Sequence, residues 1–398
     1  MPQPSTTELA IVGGGVIGLS IAWRLATRGG SVRVFDAGEV GRGASWAAAG
    51  ILPPPPGLEA ADPIDQLRAY SHQRFPEWCR ELAEVTGVDP EFRRCGGLYV
   101  ARGRGEAATL AAQQTIWQEQ GVRWESWPAS KLRGISPRLM HLAGELERSG
   151  SGSRVWFLPD ECSVRNPRLI RSLLAACRRR GVEFIEGCRV EAIEPGGGAG
   201  RCKLATERGE FAADQVCIAG GAWAQRLLEP LGAATGVLPV RGQMLLYKLP
   251  EVPFAMVLND GHRYLVPRAD GHVLAGSCEE EVGFDSCTTP EMIEQLKRWV
   301  EGLVPGWEQF FVRGWAGLRP GSFDGLPYIG RLPLHPQILL AAGHYRSGLH
   351  LSIATADIVA ALLRGEPPPL AISAFHINRG RTAAADPTGG QPSTAAKR

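Results

Sequence analysis

The residues best suited to chemistry near the start of the chain are a glycine-rich turn and a carboxylate that follows it. Residues 13–18 read GGGVIG and fit the pattern G-x-G-x-x-G, and Asp36 follows 23 residues after Gly13. In such a turn Gly13 permits the tight bend, Gly15 lets a pyrophosphate approach the backbone, and Gly18 lets the next helix pack on the sheet. The amides at that helix N-terminus then face the negative charge. This spacing predicts a dinucleotide site.

Asp36 narrows the choice of dinucleotide. A carboxylate at the end of the second strand accepts hydrogen bonds from ribose hydroxyls, whereas an arginine there would suit a 2′-phosphate. The turn alone does not separate FAD from NAD. Residues 41–51, GRGASWAAAGI, favour a flavin, because small residues let backbone amides lie against a flat ring system. A purely structural glycine turn and a flexible loop are the alternative interpretations.

Alternating strands and helices have to position these residues. Apolar runs predict a strand at 8–12, a helix at 16–27 and a strand at 31–35, which together form a β–α–β unit. Other predicted elements include helices at 64–86, 106–120, 166–180, 290–303 and 353–363, and strands at 211–219, 238–249, 264–267, 272–276 and 338–342.

This pattern predicts an α/β fold in which a Rossmann-like, doubly wound FAD-binding domain is interleaved with a mostly antiparallel β substrate domain. Its assigned segments are 1–88, 150–230 and 315–380 for the FAD-binding domain, 89–149 and 231–314 for the substrate domain, and 381–398 for a disordered tail.

Bulk composition disfavours several function classes. The 398 residues include 43 basic and 41 acidic side chains, and this balance argues against a nucleic-acid partner. Nine cysteines form no C-x-x-C pair, and the histidines lack metal-ligand spacing, so we expect reduced thiols, no bound metal and a cytoplasmic location. No signal-peptide pattern precedes the first strand, and the apolar runs are too short to predict a membrane span.

Longer motifs resemble the D-amino-acid oxidase family of FAD-dependent amine oxidoreductases, and especially its glycine-oxidising branch. The resemblance covers nearly all of residues 8–380, and the last two motifs are the most specific. The motifs are IVGGGVIG, GRGASWAAAGIL, VCIAGGAWAQRL, LPVRGQMLLY, RYLVPR, WAGLRPGSFDGLPYIGR and AAGHYRSGLHLSIATADIVAALL.

The resemblance implies FAD contacts in several parts of the chain. They are Val16, Ile17 and Asp36 near the glycine turn; Ala44, Ser45, Ala49, Gly50 and Ile51; Val190, whose backbone meets the adenine; and His344, Tyr345, Arg346, Ser347, Gly348, Leu349 and His350 around the isoalloxazine. Some relatives tether the flavin to a cysteine at about the place of Gly317, so we expect noncovalent FAD here.

The resemblance also implies a substrate site formed by Arg319, Tyr264, Arg346 and His262. A planar guanidinium suits an amino-acid carboxylate, and the Tyr264 hydroxyl can add a second donor. A surface ion pair is the alternative for Arg319, and an ordinary cross-strand aromatic is the alternative for Tyr264. The Arg346 side chain either contacts the substrate or faces solvent. Glu279 could also line the pocket, at a place where relatives vary.

Together these features predict oxidation of a small amino acid, glycine first and possibly sarcosine or D-alanine, by hydride transfer to flavin N5. With O2 as acceptor the products are glyoxylate, ammonia and hydrogen peroxide, and the imine can instead enter thiazole synthesis for thiamine. A D-amino-acid or sarcosine oxidase or dehydrogenase of the same fold is the first alternative, and a flavin-binding subunit of a larger dehydrogenase is the second. We expect a homo-oligomer.

Overall fold

The structure is a computed structural model that describes residues 6–26, 31–148, 155–197 and 200–379, so the predicted tail at 381–398 lies outside the described residues. The helices within these ranges are α1 (Val16–Ala26), α2 (Ala44–Ala47), α3 (Pro63–Thr86), α4 (Arg104–Glu119), α5 (Lys131–Ile135), α6 (Met140–Arg148), α7 (Asn166–Arg179), α8 (Ala224–Leu228), α9 (Pro290–Leu303) and α10 (Gly348–Arg364). Short 3-10 turns lie at Pro137–Leu139, Gly221–Trp223, Glu229–Leu231, Glu308–Phe310, Tyr345–Ser347 and Ser373–Phe375.

The strands fall into two eight-stranded sheets and one small three-stranded sheet. They are β1 (Thr6–Val12), β2 (Val32–Phe35), β3 (Ile51–Leu52), β4 (Arg93–Arg94), β5 (Gly97–Val100), β6 (Glu125–Trp127), β7 (Val155–Leu158), β8 (Cys162–Ser163), β9 (Glu183–Ile185), β10 (Val190–Glu194), β11 (Cys202–Thr206), β12 (Gly209–Ile218), β13 (Leu238–Lys248), β14 (Val257–Asp260), β15 (Arg263–Pro267), β16 (His272–Gly276), β17 (Phe311–Gly321), β18 (Tyr328–Leu332) and β19 (His335–Ala342).

The first sheet has a parallel centre, formed by β9, β2, β1, β12 and β19, with β11, β10 and β18 added antiparallel. Leu9 and Ile11 face the core that α1, α3, α7 and α10 share, whereas Ala10 and Val12 face the core on the opposite side. Central parallel strands are buried on both faces, and the second half of β1, Leu9 to Val12, is accordingly apolar and buried throughout. The predicted doubly wound architecture is confirmed.

The second sheet runs in the order β17, β13, β16, β15, β14, β5, β7, β6, and every pair is antiparallel except β14 with β5. Its outer face packs against α5, α6 and α9 through residues such as Leu245, Leu265 and Leu296. Its inner face, with Met244 and Val266, packs against Ala49 from the first part of the chain. The prediction of a mostly antiparallel second part is confirmed. A common site lies between the two sheets.

The division into two domains remains a proposal. Strand β7 pairs with β5 and β6 in the second sheet, although residues 150–230 were assigned to the FAD-binding part. Strand β17, which pairs with β13, begins at Phe311, before the assigned boundary at 315. We therefore propose that both strands are grouped with the substrate part.

Helix α10 accounts for the most apolar long segment in the described part of the chain. An 18-residue window within Tyr345–Arg364 has a mean hydropathy of 1.2, so the segment is long and apolar enough to cross a membrane, but 67% of that window is buried inside the protein. It packs against α1 and α3. Its apolar sequence therefore fits a core helix between two neighbouring helices.

Candidate active site

A single cavity of about 1370 Å³ extends from the glycine turn to the inner face of the second sheet. It brings together nearly all the site residues predicted from sequence. Those lining it are Gly13, Gly15, Val16, Ile17, Asp36, Ala44, Ser45, Ala49, Gly50, Ile51, Val190, Tyr264, His262, Arg319, His344, Tyr345, Arg346, Ser347, Gly348, Leu349 and His350. Gly18 lies behind the turn, where a Cβ would stand 2.0 Å from the Gly13 carbonyl oxygen, as expected for a packing role.

The glycine turn has no room for side chains. Gly13 has a φ of +113°, and a Cβ there would lie 2.4 Å from the Ala219 carbonyl oxygen. A Cβ on Gly15 would lie 3.3 Å from the Ser45 hydroxyl, which accepts a hydrogen bond from the Val16 amide at 2.9 Å. The N-terminus of α1 therefore opens directly onto the cavity, where its amides can attract an anion.

Asp36 stands directly after β2 and joins two turns. Its Oδ2 accepts a hydrogen bond from the Gly14 amide at 2.9 Å, and its Oδ1 accepts one from the Gly38 amide at 2.9 Å. Each carboxylate oxygen has a second lone pair, so both can also accept bonds from hydroxyl groups in the cavity. Val190, at the start of β10, lines the same end.

Three side chains that the sequence did not single out hold the segment 44–51 in place. Asn166 Nδ2 donates to the carbonyl oxygens of Ser45 at 3.0 Å and Trp46 at 2.6 Å. Trp315 Nε1 donates to the Ala47 carbonyl at 3.1 Å, and buried Arg268 donates to the Ala49 carbonyl at 2.6 Å. These bonds fix the backbone of a segment in which alanine, serine and glycine predominate.

Two buried histidines flank the start of α10, His344 just before it and His350 in its first turn. His344 Nε2 lies 3.0 Å from the Thr355 hydroxyl, and burial lowers the pKa of His344 to about 3. His350 Nε2 lies 3.2 Å from His72 Nδ1, and burial, aided by the charge interaction with His72, lowers the pKa of His350 well below its usual value. Both rings are therefore neutral at physiological pH and bring no cation to this wall.

At the far end of the cavity, Arg319 and Tyr264 meet at one hydroxyl. Arg319 Nη2 donates to Ser277 Oγ at 2.8 Å, and the Tyr264 hydroxyl donates to the same oxygen at 3.2 Å. Arg319 Nη1 donates to the Cys278 carbonyl at 3.0 Å. Gly242 makes room for the guanidinium, since a Cβ there would lie 2.3 Å from Arg319 Nη2. Sequence reasoning missed Ser277, because a serine after a strand carries no signal of its own.

The other two predicted substrate residues lie nearer solvent. His262 is exposed in the turn between β14 and β15 and lines the cavity. Arg346 Nη1 pairs with Glu279 Oε1 at 2.8 Å. The side chains of Arg346 and Glu279 are 44% and 39% exposed. Arg346 lines the cavity, whereas Glu279 pairs with it but is not one of the residues that line the cavity.

A buried carboxyl lies directly behind the cavity wall. Glu161 is fully buried and accepts hydrogen bonds from the Tyr99 hydroxyl at 2.5 Å and from Asn259 Nδ2 at 3.2 Å, and both of these residues line the cavity. Burial raises the pKa of Glu161 to about 7, although the bonds from Tyr99 and Asn259 favour the anion. A Cβ on Gly97 would lie 2.4 Å from the carboxyl carbon, so only glycine fits there.

The sequence profile of the family described as "DAO: FAD dependent oxidoreductase" matches residues 8–362, which is most of the chain. The chain belongs to this family of FAD dependent oxidoreductases. It is 38% identical to a glycine oxidase of Pseudomonas putida, over 91% of this chain and 95% of that protein. A crystal structure of glycine oxidase from Geobacillus kaustophilus matches with a TM-score of 0.86 at 31% identity, over 94% of this chain and 99% of that one.

A further relative is named bifunctional protein ThiO/ThiG and comes from Synechocystis. The present chain is 32% identical to this Synechocystis protein. The match covers 94% of the present chain but 54% of the Synechocystis protein. The remaining half of the Synechocystis protein therefore has no counterpart in this match.

The cavity fits the family's cofactor. Gly13 and Gly15 keep side chains out of the turn, the N-terminus of α1 offers amides to a diphosphate, and Asp36 offers acceptors to a ribose. Residues 44, 45 and 47–51, most of them small, form the wall beyond them. Within the ranges that the structure describes, no group of three or more His, Cys, Asp or Glu side chains could hold a metal ion.

Proposed function

We propose that this FAD dependent oxidoreductase oxidises glycine, and more slowly other small amino acids, at the bond between Cα and nitrogen. The observation that carries the proposal is the convergence of Arg319 and Tyr264 on Ser277 at the end of the cavity opposite the glycine turn. The similarity to glycine oxidases over more than nine-tenths of the chain supports glycine as the first substrate.

Arg319 binds the substrate carboxylate in this proposal. A guanidinium has five N–H donors, and the bonds from Nη1 and Nη2 to Cys278 and Ser277 use two of them. The remaining donors are free for a charge-assisted pair with a carboxylate. Ser277 and Cys278 therefore orient the guanidinium, and the Tyr264 hydroxyl becomes a donor beside it when its single proton turns from Ser277 Oγ to the substrate.

The residues that hold the cofactor are those of the glycine turn, Asp36, the segment 44–51, Val190 and the segment 344–350. When bound, FAD would supply the hydride acceptor for the amino acid and the route for its electrons to O2, with hydrogen peroxide as the product. Arg319 and Tyr264 contribute orientation, which turns a bimolecular encounter into a positioned one. No general base is demanded if the amine enters neutral.

We propose that the FAD is noncovalent. Gly317 packs so closely that a Cβ there would lie 2.5 Å from the Ala47 Cβ, and it offers no thiol. Among the described residues that line the cavity, the cysteine is Cys188, beside Val190 at the opposite end from Arg319. Acid precipitation should release all the yellow colour into the supernatant, and colour retained in the pellet would contradict this proposal.

The imine product has a proposed destination in thiamine biosynthesis, through thiazole synthesis. The relative named ThiO/ThiG supports this, because the part that matches this chain is joined there to a second part. A cytoplasmic location is proposed as well, and all nine cysteines are free, as expected for reduced thiols.

A substrate panel tests the proposed activity. Oxygen consumption and peroxide release are measured with glycine, sarcosine, D-alanine and D-proline, using purified holoenzyme. Peroxide formation with the highest kcat/KM on glycine is the expected result. Turnover of D-alanine or D-proline without turnover of glycine would instead support a D-amino-acid oxidase, and turnover only with a quinone acceptor would support a dehydrogenase.

A further inference from the structure

The segment Ser277–Glu279, directly after β16, contacts the polar side chains at the substrate end of the cavity. Ser277 bonds to Arg319 and Tyr264, and the Cys278 carbonyl accepts from Arg319. Glu279 pairs with Arg346 at 2.8 Å. Three consecutive residues therefore position two arginines and a tyrosine around one end of the cavity.

Glu279 forms an ion pair with Arg346, whereas Ser277 and Cys278 contact Arg319 through uncharged groups. Ser277 and Cys278 are uncharged, so Arg319 keeps its full positive charge for a ligand. Glu279 is an acid, and it offsets the charge of Arg346 while receiving a hydrogen bond from Tyr345. Burial, followed by that hydrogen bond, raises the pKa of Tyr345. At this end of the cavity, the positive charge of Arg346 is thus offset by a carboxylate, whereas that of Arg319 is not.

The next two glutamates are placed elsewhere. Glu280 pairs with Arg241 at 3.1 Å, and Arg241 is 4% exposed. Glu280 also accepts from Gln243 at 2.9 Å. Glu281 is exposed to solvent. Of these three consecutive acids, Glu279 is therefore the one that reaches an arginine of the cavity wall.

We propose that Glu279 determines substrate specificity by holding and neutralising Arg346, so that the site accepts amino acids with one carboxylate and discriminates against those with two. This inference rests on the proposed function, because it takes Arg319 as the receptor of the first carboxylate. As a stabilising contact this half-exposed pair contributes little. Its effect is on selectivity, because the net charge at the cavity wall acts more strongly on a ligand with two carboxylates than on a ligand with one.

Ligand binding tests this inference without relying on turnover. Acetate and malonate are titrated into holoenzyme at low ionic strength, and dissociation constants are read from the change in the flavin absorption spectrum. In Glu279→Gln, the affinity for malonate relative to acetate should rise about tenfold, or about 1.4 kcal/mol. The matched control Glu281→Gln removes a charge from the same loop and should leave the ratio unchanged.

A double variant identifies the cation responsible. Glu279→Gln combined with Arg346→Gln should return the malonate-to-acetate ratio to the wild-type value, because the released guanidinium is gone. An unchanged ratio in Glu279→Gln would overturn the inference, and so would a gain that survives the loss of Arg346. A gain of the same size in Glu281→Gln would also overturn it, since it would reflect the loop's general charge.

Kinetics separate this inference from the proposed function. The kcat/KM values for glycine and for iminodiacetate, its N-carboxymethyl derivative, are compared in the same variants. The predicted result is a lower KM for iminodiacetate in Glu279→Gln with a smaller change for glycine. If wild-type enzyme does not oxidise glycine at all, the proposed function fails, whereas the ratio of malonate to acetate still decides the role of Glu279.

Discussion

At the scale of single residues, Arg319 is the side chain on which substrate binding most depends. In Arg319→Ala, kcat/KM should fall by about 100-fold, or about 2.8 kcal/mol, mostly through KM, because the carboxylate loses a charge-assisted partner. FAD content should not change. Steady-state kinetics and the flavin spectrum measure both, and Arg313→Ala, an exposed position on the same strand, is the control. Wild-type kinetic constants in Arg319→Ala would show that Arg319 does not bind the substrate.

Asp36 is the side chain on which cofactor binding most depends, as Arg319 is for the substrate. Asp36→Ala should weaken FAD binding by at least about tenfold, because a hydrogen bond to a charged group contributes about 1.5–3 kcal/mol. The bonds that Asp36 accepts from Gly14 and Gly38 are lost as well. Asp36→Asn keeps one acceptor oxygen and should have a smaller effect. Equilibrium titration of apoprotein with FAD gives the affinities, and a wild-type affinity in Asp36→Ala would contradict the ribose role.

The conformation of the glycine turn was predictable, since it depends on local backbone geometry that a short motif records. Gly13 and Asp36 lie where the spacing placed them. Ser277 and Glu161 were not predictable in this way. Each acts through partners that are distant in sequence, such as Arg319 for Ser277 and Asn259 for Glu161. Only the folded chain brings those pairs together.

At the scale of elements, α7 supports the segment 44–51, which forms part of the cavity wall. Asn166, at its first turn, is 1% exposed and donates to two carbonyls of the segment 44–51. Asn166→Ala should lower the free energy of unfolding by about 1–3 kcal/mol, because two partly buried carbonyls lose their donor. Faster FAD dissociation should accompany this loss.

Denaturant unfolding and FAD release after dilution measure the two effects of Asn166→Ala. The control is Arg171→Ala, at an exposed position on the same helix, which should change neither. A stable variant with wild-type FAD release would show that α7 does not hold the wall.

Elements with strong periodicity were predicted well, and those dominated by glycine or proline were not. The helix predicted at 290–303 is found as Pro290–Leu303, with buried Leu296, Val300 and Leu303 on one face. The strand Phe311–Gly321 was missed, because its glycines and proline hide any alternation, although it pairs along β13 and carries Arg319. The helix predicted from 353 begins at Gly348, where the sequence still resembles a loop.

At the scale of the whole molecule, Glu161 makes stability depend on pH. Its pKa is raised from about 4.5 to about 7 by burial, so the folded state binds the proton more tightly than the unfolded state. Its contribution is therefore most favourable below about pH 4.5 and is lost as the pH rises through about 7. In Glu161→Gln this loss should disappear.

The difference in unfolding free energy between Glu161→Gln and wild type should move in favour of the variant by about 3 kcal/mol between pH 4 and pH 8. Urea unfolding of holoprotein across this range measures it. Glu119→Gln, at an exposed position in α4, should track the wild type. A difference that does not vary with pH would show that Glu161 titrates normally.

The assembly of the molecule stays a prediction. Phe323 and Leu334 are 71% and 76% exposed, so apolar surface is available for contact between copies. Light scattering of the purified holoenzyme should give a mass that is a multiple of 42.8 kDa. A monomer mass would contradict the expected homo-oligomer without affecting the site within one chain.

The central claim is that one cavity holds FAD at the glycine turn and an amino acid at Arg319. Anaerobic mixing of yellow holoenzyme with glycine tests it most directly, because electron transfer is then seen without any later step. The account predicts that the oxidised-flavin absorbance disappears in wild type and that Arg319→Ala needs far more glycine for the same change. An absorbance that glycine leaves unchanged, in protein that carries FAD, would contradict it.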